Sequence, residues 1–171
     1  MSTEEQLIIV DEQDNMLGYK PRSQRTDEDC SRSVSIWVEN NKGQVLLQQR
    51  NHDKRVDPDA WTPAAEGTVS KGTSYDESAL RELEEEIGLK DVKLDKRNKV
   101  YCKFSFGWRQ MQGYVTHCNW PIEKFTVQKE EVAALEWVDK QRVLDEITGK
   151  KPHTRLWPQS CKYWPEWFNL V

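Results

Sequence analysis

Residues 67–89 read GTVSKGTSYDESALRELEEEIGL, and this stretch decides the fold around it. Ser74 and Glu77 have the spacing of a capping box, in which each side chain accepts a hydrogen bond from the other residue's backbone N–H. Gly88 stands where a left-handed residue commonly ends a helix. Apolar residues recur between these ends at the spacing of one helical face: Ala79, Leu80, Leu83 and Ile87. The stretch therefore predicts a helix with one buried face.

Three glutamates project from one side of this predicted helix. Glu82, Glu85 and Glu86 stand at i, i+3 and i+4, on a face that lies beside the apolar one. Like charges at this spacing repel each other, so a bound cation explains them, and oxygen ligands suit Mg²⁺ or Mn²⁺. The alternative is an acidic helix face in contact with solvent. The wider pattern favours the cation.

The whole stretch resembles the Nudix box, G-x5-E-x7-R-E-U-x-E-E-x-G-U, in which U is a bulky aliphatic residue. Eight of its nine fixed positions match: Gly67, Arg81, Glu82, Leu83, Glu85, Glu86, Gly88 and Leu89. Thr73 stands where the box has its first glutamate, which in this family mainly supports the loop, so we expect weakened geometry with the chemistry retained. The resemblance implies an α+β protein with the Nudix fold, an α/β/α sandwich around a mixed β-sheet.

The composition agrees with one such domain over residues 1–171, with the box at 67–89. A chain of this length buries roughly 70% of its unfolded surface. A net charge of -4 argues against a nucleic-acid-binding surface, which needs a clustered basic excess. Neither an apolar run long enough to span a membrane nor a signal-peptide segment is present, so we expect no membrane contact. The four cysteines lack a C-x-x-C pair, which predicts reduced thiols and a cytoplasmic protein.

Turn residues between apolar runs predict three strand pairs. The pairs are Leu7–Val10 with Met16–Tyr19, Val34–Glu39 with Val45–Gln49, and Tyr101–Phe106 with Met111–Thr116. A polar segment, Lys20–Arg32, leads into the second pair. Ala134–Val138 reads as a further strand and Asp139–Ile147 as a short helix that Asp139 caps. Residues 152–168 read as a helical tail that Pro158 and Pro165 interrupt.

The segment before the box is similar to the isopentenyl-diphosphate isomerase-like branch of this superfamily. Isomerases of that branch carry a Cys just before the box helix and a His two residues later, but Glu66 and Thr68 stand there. The branch also implies upstream His metal ligands, and residues 24–33 contain no His. Protonation of an alkene needs an acid and a base on opposite faces. Isomerisation is therefore the disfavoured alternative to hydrolysis.

The resemblance assigns the hydrolytic roles to acids of the box. Glu82, Glu85 and Glu86 become metal ligands, one of them able to activate water, and the carbonyl of Glu66 becomes a further ligand. A remote acid often serves as base in this family. Glu130 and Glu131 are the candidates, and we favour Glu131 because Glu-Val followed by Trp fits the family pattern.

Cations near the expected cleft are candidates for holding substrate phosphates. They are Arg50, Lys54 and Arg81, the last also able to orient the glutamates. The expected partner is a small phosphorylated metabolite: first a nucleoside di- or triphosphate, then a nucleotide sugar or a prenyl diphosphate.

Two non-catalytic functions stay open. A Nudix-fold module that binds a nucleotide without hydrolysis is one, since Thr73 departs from the box. An adaptor with an exposed apolar patch at Trp164, Trp167 and Phe168 is the other. A homodimer formed through that tail is compatible with every function considered.

Overall fold

The computed structural model describes residues 4–150, Leu156 and 164–168. Nine strands of this part form one sheet: β1 (Gln6–Val10), β2 (Met16–Pro21), β3 (Cys30–Glu39), β4 (Gln44–Arg50), β5 (Trp61–Pro63), β6 (Ala65–Thr68), β7 (Asp95–Phe104), β8 (Gly107–His117) and β9 (Val132–Asp139). The two α-helices are α1 (Tyr75–Ile87) and α2 (Lys140–Ile147). Three short 3-10 helices cover Arg22–Gln24, Ile122–Lys124 and Trp164–Phe168. None of the helices in these ranges is both long and apolar enough to cross a membrane.

Strand β3 lies at the centre of the sheet. It pairs in parallel with β8 along its whole length, from Cys30↔Trp108 to Glu39↔His117. Its other partners, β1, β4 and β6, are antiparallel. The sheet is therefore mixed, as the resemblance implied.

Side chains of β3 alternate between two apolar cores, one on each face of the sheet. Val34 and Ile36 pack in the core that contains Leu83 and Ile87 of α1. Trp37 packs in the second core, which contains Val143 of α2 together with Trp164 and Trp167. One helix thus covers each face, and the predicted α+β sandwich with a mixed sheet is confirmed.

Helix α1 begins and ends where the sequence predicts. The Ser74 side chain accepts a hydrogen bond from the Glu77 N–H, and the Glu77 side chain accepts one from the Ser74 N–H, so the capping box is complete. Gly88 has φ 71° and closes the helix in the left-handed region. The Asp139 cap of α2 is likewise present, accepting from the Arg142 N–H at 3.0 Å.

The three predicted strand pairs and the strand before α2 are all present, but three strands begin at least four residues earlier than expected. One of them is β8, which starts at Gly107 and not at Met111. Strand β3 starts at Cys30, inside the segment expected to be a polar lead-in, and β7 starts at Asp95. Polar residues at these starts hide the strand pattern. In β3, Ser33 lines a cleft, and the polar residues at the start of β7 lie mostly exposed along the edge of the sheet.

The predicted helical tail differs from expectation where it is described. Residues 164–168 form one 3-10 helix, and residues 152–155 and 157–163 of that prediction lie outside the described residues. Trp164 and Trp167 are completely buried within the chain. The exposed apolar patch that an adaptor would need is therefore not formed by these two tryptophans, which fill the second core instead.

Candidate active site

The three box glutamates of α1 differ sharply in exposure. Glu86 is only 6% exposed, the Glu82 side chain 13%, and the Glu85 side chain 56%. Glu86 Oε2 accepts hydrogen bonds from Gln48 Nε2 at 2.8 Å and from the Glu66 N–H at 3.3 Å. Burial, and next the charge of Glu82, raise the pKa of Glu86 to about 8. Glu86 is therefore the acid most removed from water.

Glu66 lies on β6 beside Glu86. Its Oε1 accepts a hydrogen bond from Ser35 Oγ at 2.6 Å. Its Oε2 is buried, and no hydrogen-bond partner for it exists among the described residues. Burial raises the pKa of Glu66 to about 7, against the opposing charge of Arg50. A buried acceptor without a donor is costly, and a cation or a proton would satisfy it.

Gly67 makes room for Glu82. A Cβ atom at Gly67 would overlap the Glu82 carboxylate. Arg81 fixes that carboxylate from the other side, because its Nη2 donates to Glu82 Oε1 at 2.8 Å and to the Thr68 carbonyl at 3.3 Å. Burial raises the pKa of Glu82, and Arg81 opposes the rise. The glycine and the arginine of the box thus position one glutamate between them.

Arg81 is placed to orient glutamates. Its Nε also lies 3.9 Å from Glu85 Oε2. Arg81 does not line the cleft that opens beside Glu66 and Glu86. Its contact with substrate phosphate stays a prediction.

The loop before α1 is supported without the first box glutamate. Thr73 Oγ1 donates to the Ser70 carbonyl at 2.8 Å and shares a 3.0 Å hydrogen bond with Ser78 Oγ. The Thr73 N–H donates to the same carbonyl at 3.1 Å. These contacts give the loop a hydroxyl support where the box has a carboxylate.

A cleft of about 750 Å³ opens beside the buried acids. Glu66, Gly67 and Glu86 line it together with the predicted residues Arg50, Lys54 and Glu131. Lys54 Nζ forms an ion pair with Glu131 Oε2. Arg50 Nε donates to the Val56 carbonyl at 3.1 Å. The structure thus brings two acids, two cations and the favoured remote acid to one cleft; Glu82 and Glu85 are not among the lining residues.

Sequence reasoning missed several residues of this cleft. They are Arg22, Arg25, Ser33, Gln48, Phe104, Phe106 and Arg109. A signal for part of the set was present in the serines at 31, 33 and 35, whose two-residue period marks one strand face. No local pattern connects Arg109 to that face, because the parallel pairing of β3 with β8 joins distant segments.

The donor chemistry of the acids suits a hard divalent cation. Glu66, Glu82 and Glu86 offer only oxygen ligands, and Glu66 Oε2 is an unsatisfied one. Among the described residues, however, no three acidic, histidine or cysteine side chains are already arranged as a metal site. Arg81 and Gln48 hold the Glu82 and Glu86 carboxylates in this arrangement. Metal binding would therefore turn the Glu82 and Glu86 carboxylates away from Arg81 and Gln48.

Known proteins resemble the chain in sequence. The NUDIX domain family matches residues 31–159. An uncharacterized Nudix hydrolase of Pseudomonas aeruginosa is 38% identical over 58% of this chain, which spans 60% of that relative. An uncharacterized Nudix hydrolase of Yersinia pestis is 32% identical over 83% of this chain and 75% of the length of that relative. The isopentenyl-diphosphate Delta-isomerase of Corynebacterium diphtheriae is 27% identical over 86% of this chain and 85% of its own, which confirms the resemblance to that branch.

Solved structures share the fold. DR0079 from Deinococcus radiodurans gives a TM-score of 0.73 at 19% identity, covering 92% of this chain and 96% of that one. The NUDIX domain of Shewanella oneidensis NrtR, complexed with ADP ribose, gives a TM-score of 0.57 at 18% identity, covering 75% of this chain and 82% of that one. Because the family pattern extends over residues 31–159 and a relative covered over most of its length is 32% identical, the protein belongs to the Nudix hydrolase family.

Proposed function

We propose that this Nudix hydrolase uses Mg²⁺ or Mn²⁺ to cleave the diphosphate linkage of a nucleoside diphosphate derivative. The observation that carries the proposal is a cleft in which the buried acids Glu66 and Glu86 lie with Arg50 and Lys54. The acids suit a divalent cation, and the cations suit phosphate oxygens. An anionic diphosphate resists nucleophilic attack until positive charge, from a metal ion that the acids would hold and from basic side chains, neutralises its oxygens.

Glu66, Glu82 and Glu86 would hold the metal, and Glu85, more exposed on the same helix, stays a predicted ligand. A bound divalent cation neutralises phosphate oxygens and lowers the pKa of a coordinated water. The raised pKa values of Glu66 and Glu86, about 7 and about 8, mean that both acids exchange protons near neutral pH. Metal binding should therefore release protons.

Glu131 would accept the proton of the attacking water, and Lys54 would control when it is free to do so. Their ion pair fixes the direction of the Glu131 carboxylate in the apoprotein. Substrate phosphates would compete for Lys54 and free Glu131 to act as general base. Arg50, whose charge acts on Glu66, would bind a phosphate oxygen on the same side.

The basic residues of the cleft and the family to which the chain belongs support a small phosphorylated substrate. A nucleoside di- or triphosphate is our first choice, followed by a nucleotide sugar or a prenyl diphosphate. The ADP ribose bound by the NrtR domain adds one compound to test. A cytoplasmic location, a single domain over residues 1–171 and a homodimer stay predictions.

Isomerisation is the second candidate, since relatives include isopentenyl-diphosphate isomerases. The described lining of the cleft contains neither Cys nor His, the residues that this reaction uses in that branch. Nucleotide binding without turnover is the third candidate. A pure binding module has little need for buried acids beside the box helix.

The test is a panel of compounds incubated with Mg²⁺, with Mn²⁺ and with EDTA. The panel contains nucleoside di- and triphosphates, nucleotide sugars, ADP ribose and isopentenyl diphosphate, and product is followed by phosphorus NMR. We expect new phosphate monoesters from at least one compound with metal and none with EDTA. Conversion of isopentenyl diphosphate to its isomer would establish isomerisation instead. Binding of a compound that stays intact with both metals would establish the binding module.

A further inference from the structure

Two arginines surround one aromatic ring at the end of the cleft formed by β8. The guanidinium carbon of Arg25 lies 5.3 Å from the centre of the Phe106 ring, and that of Arg109 lies 4.9 Å from it. Arg109 is on β8, and Arg25 directly follows the 3-10 helix Arg22–Gln24. All three side chains line the cleft. The proposed hydrolysis does not use these three side chains.

The positive charge of this pair is not compensated within the described part of the chain. Neither arginine forms an ion pair there. Asp29, whose charge acts on Arg25, is bound to Lys20 at 2.6 Å, and Arg22 is bound to Glu5 at 2.5 Å.

Burial makes this uncompensated charge costly. Arg109 is 6% exposed, and Arg25 Nε and Nη2 are buried without a hydrogen-bond partner among the described residues. Burial, and then repulsion between neighbouring arginines, lower the pKa of Arg109 to about 9 and that of Arg25 to about 10. Isolated buried cations destabilise a fold unless an anion accompanies them.

Hydrogen bonds hold Arg109 in place, and a glycine leaves room for Arg25. Arg109 Nη1 donates to Ser31 Oγ at 2.8 Å and to the Trp108 carbonyl at 3.0 Å. Gly107, at φ 114°, leaves room for Arg25, because a Cβ there would lie 2.6 Å from Arg25 Nη2. A guanidinium group that is fixed in place, like that of Arg109, binds an anion with little loss of side-chain entropy.

The arginine pair and the acidic end are separated by the length of four residues of β3. Ser31 contacts Arg109, and Ser35, on the same face of the strand, contacts Glu66. At about 3.3 Å per residue the two ends lie roughly 13 Å apart. Between them lies Ser33, whose buried Oγ has no partner among the described residues. An elongated ligand with an anionic group at each end matches this layout.

We propose that Arg25 and Arg109 form a second anion subsite that binds a phosphate monoester at the far end of the substrate. Two guanidinium groups match the charge of a phosphate monoester, about -1.5 to -2 near neutral pH. The substrate would be a diphosphate whose organic substituent carries this second phosphate. Only the placement of the diphosphate at the acidic end of the cleft rests on the proposed hydrolysis.

The first test avoids turnover altogether. Inorganic phosphate is titrated into the full chain in EDTA by calorimetry, with variants Arg109→Met and Arg25→Gln and with Arg142→Gln, on the exposed side of α2, as control. We expect each cleft variant to weaken phosphate binding on the order of 10- to 100-fold and the control to leave it unchanged. An Arg50→Gln variant that weakens binding while the other two do not would overturn the proposal.

The melting temperature separates a ligand subsite from a structural role. Replacing an uncompensated buried charge with Met should leave the apoprotein as stable or raise its melting temperature. If Arg109→Met lowers the melting temperature, Arg109 is structural and the proposal is wrong.

The third test uses a matched pair of diphosphates in the presence of Mg²⁺. Octyl diphosphate bearing a terminal phosphate is compared with octyl diphosphate bearing a terminal hydroxyl. The wild type should have a lower KM for the first compound, and Arg109→Met should abolish that preference with little effect on kcat. Equal KM values for the wild type would overturn the proposal, whereas no turnover of either compound would count against the hydrolysis and leave the calorimetric result standing.

Discussion

Burial distinguishes Glu86 from the other acids of its helix. Its carboxylate accepts hydrogen bonds from Gln48 and from the Glu66 backbone, whereas Glu84 is 53% exposed and pairs with Lys90 at 2.5 Å. The acids of α1 therefore have similar sequence contexts and different surroundings. Sequence spacing predicts that Glu82, Glu85 and Glu86 share a side of the helix, but it does not predict which of them is buried. That depends on Gln48, a residue of β4 that no local pattern connects to the helix.

At the residue scale, Glu131 and Glu130 are neighbouring acids, and only Glu131 lies in the cleft. Glu131 lines the cleft and pairs with Lys54, and Glu130 is exposed beside it. We expect Glu131→Gln to lower kcat about 10²- to 10⁴-fold, as loss of a general base does, and Glu130→Gln to change it little. Steady-state rates of both variants on one substrate measure the difference. Similar rates for Glu131→Gln and wild type would remove Glu131 from the mechanism.

At the scale of elements, β6 and α1 meet at Gly67 and Glu82. Both partners belong to the box, so sequence predicts this contact through the resemblance, as it predicts the caps of α1 through local hydrogen-bonding rules. The parallel pairing of β3 with β8 is different, since its residues are far apart in the chain and the polar face of β3 hides the strand. Sequence therefore predicts the acidic end of the cleft and misses the arginine end.

The Gly67 contact predicts a specific coupling. Gly67→Ala should destabilise the fold and weaken metal binding, because its Cβ would overlap the Glu82 carboxylate. In the Glu82→Ala background the overlap is absent, so Gly67→Ala should lower the free energy of unfolding much less there. Unfolding free energies of the two single variants and the double variant form the required cycle. Additive effects would show that Gly67 matters for a reason other than room for Glu82.

At the scale of the whole molecule, the sheet is covered by one helix on each face and carries its polar cleft at one end of β3. Periodicity of β3 predicts its apolar face through Val34, Ile36 and Val38, and these residues do pack with α1. The second core could not be predicted in the same way, since Trp164 and Trp167 reach it from the tail. The cleft lies where serines replace apolar residues on that second face.

The buried acids give the metal-free protein a distinctive pH dependence. The folded-state pKa of Glu86 is raised above its ordinary value near 4.5, so the folded state binds more protons than the unfolded state between about pH 4.5 and about pH 8. Stability should therefore fall as pH rises through this window in EDTA. Melting temperatures should fall less steeply for Glu86→Gln than for wild type, and Glu84→Gln should follow wild type. Parallel curves for wild type and Glu86→Gln would contradict the assigned burial.

The most direct test of the proposed hydrolysis compares Glu86→Gln with Glu84→Gln on the best diphosphate substrate, with saturating Mg²⁺. Both substitutions replace one carboxyl group of α1 with an amide, but only Glu86 faces the buried side of the site. We predict that kcat/KM falls on the order of 10²-fold or more for Glu86→Gln and stays close to wild type for Glu84→Gln. Equal rates for the two variants would show that the buried acid takes no part in the chemistry and would contradict the proposed role of Glu86.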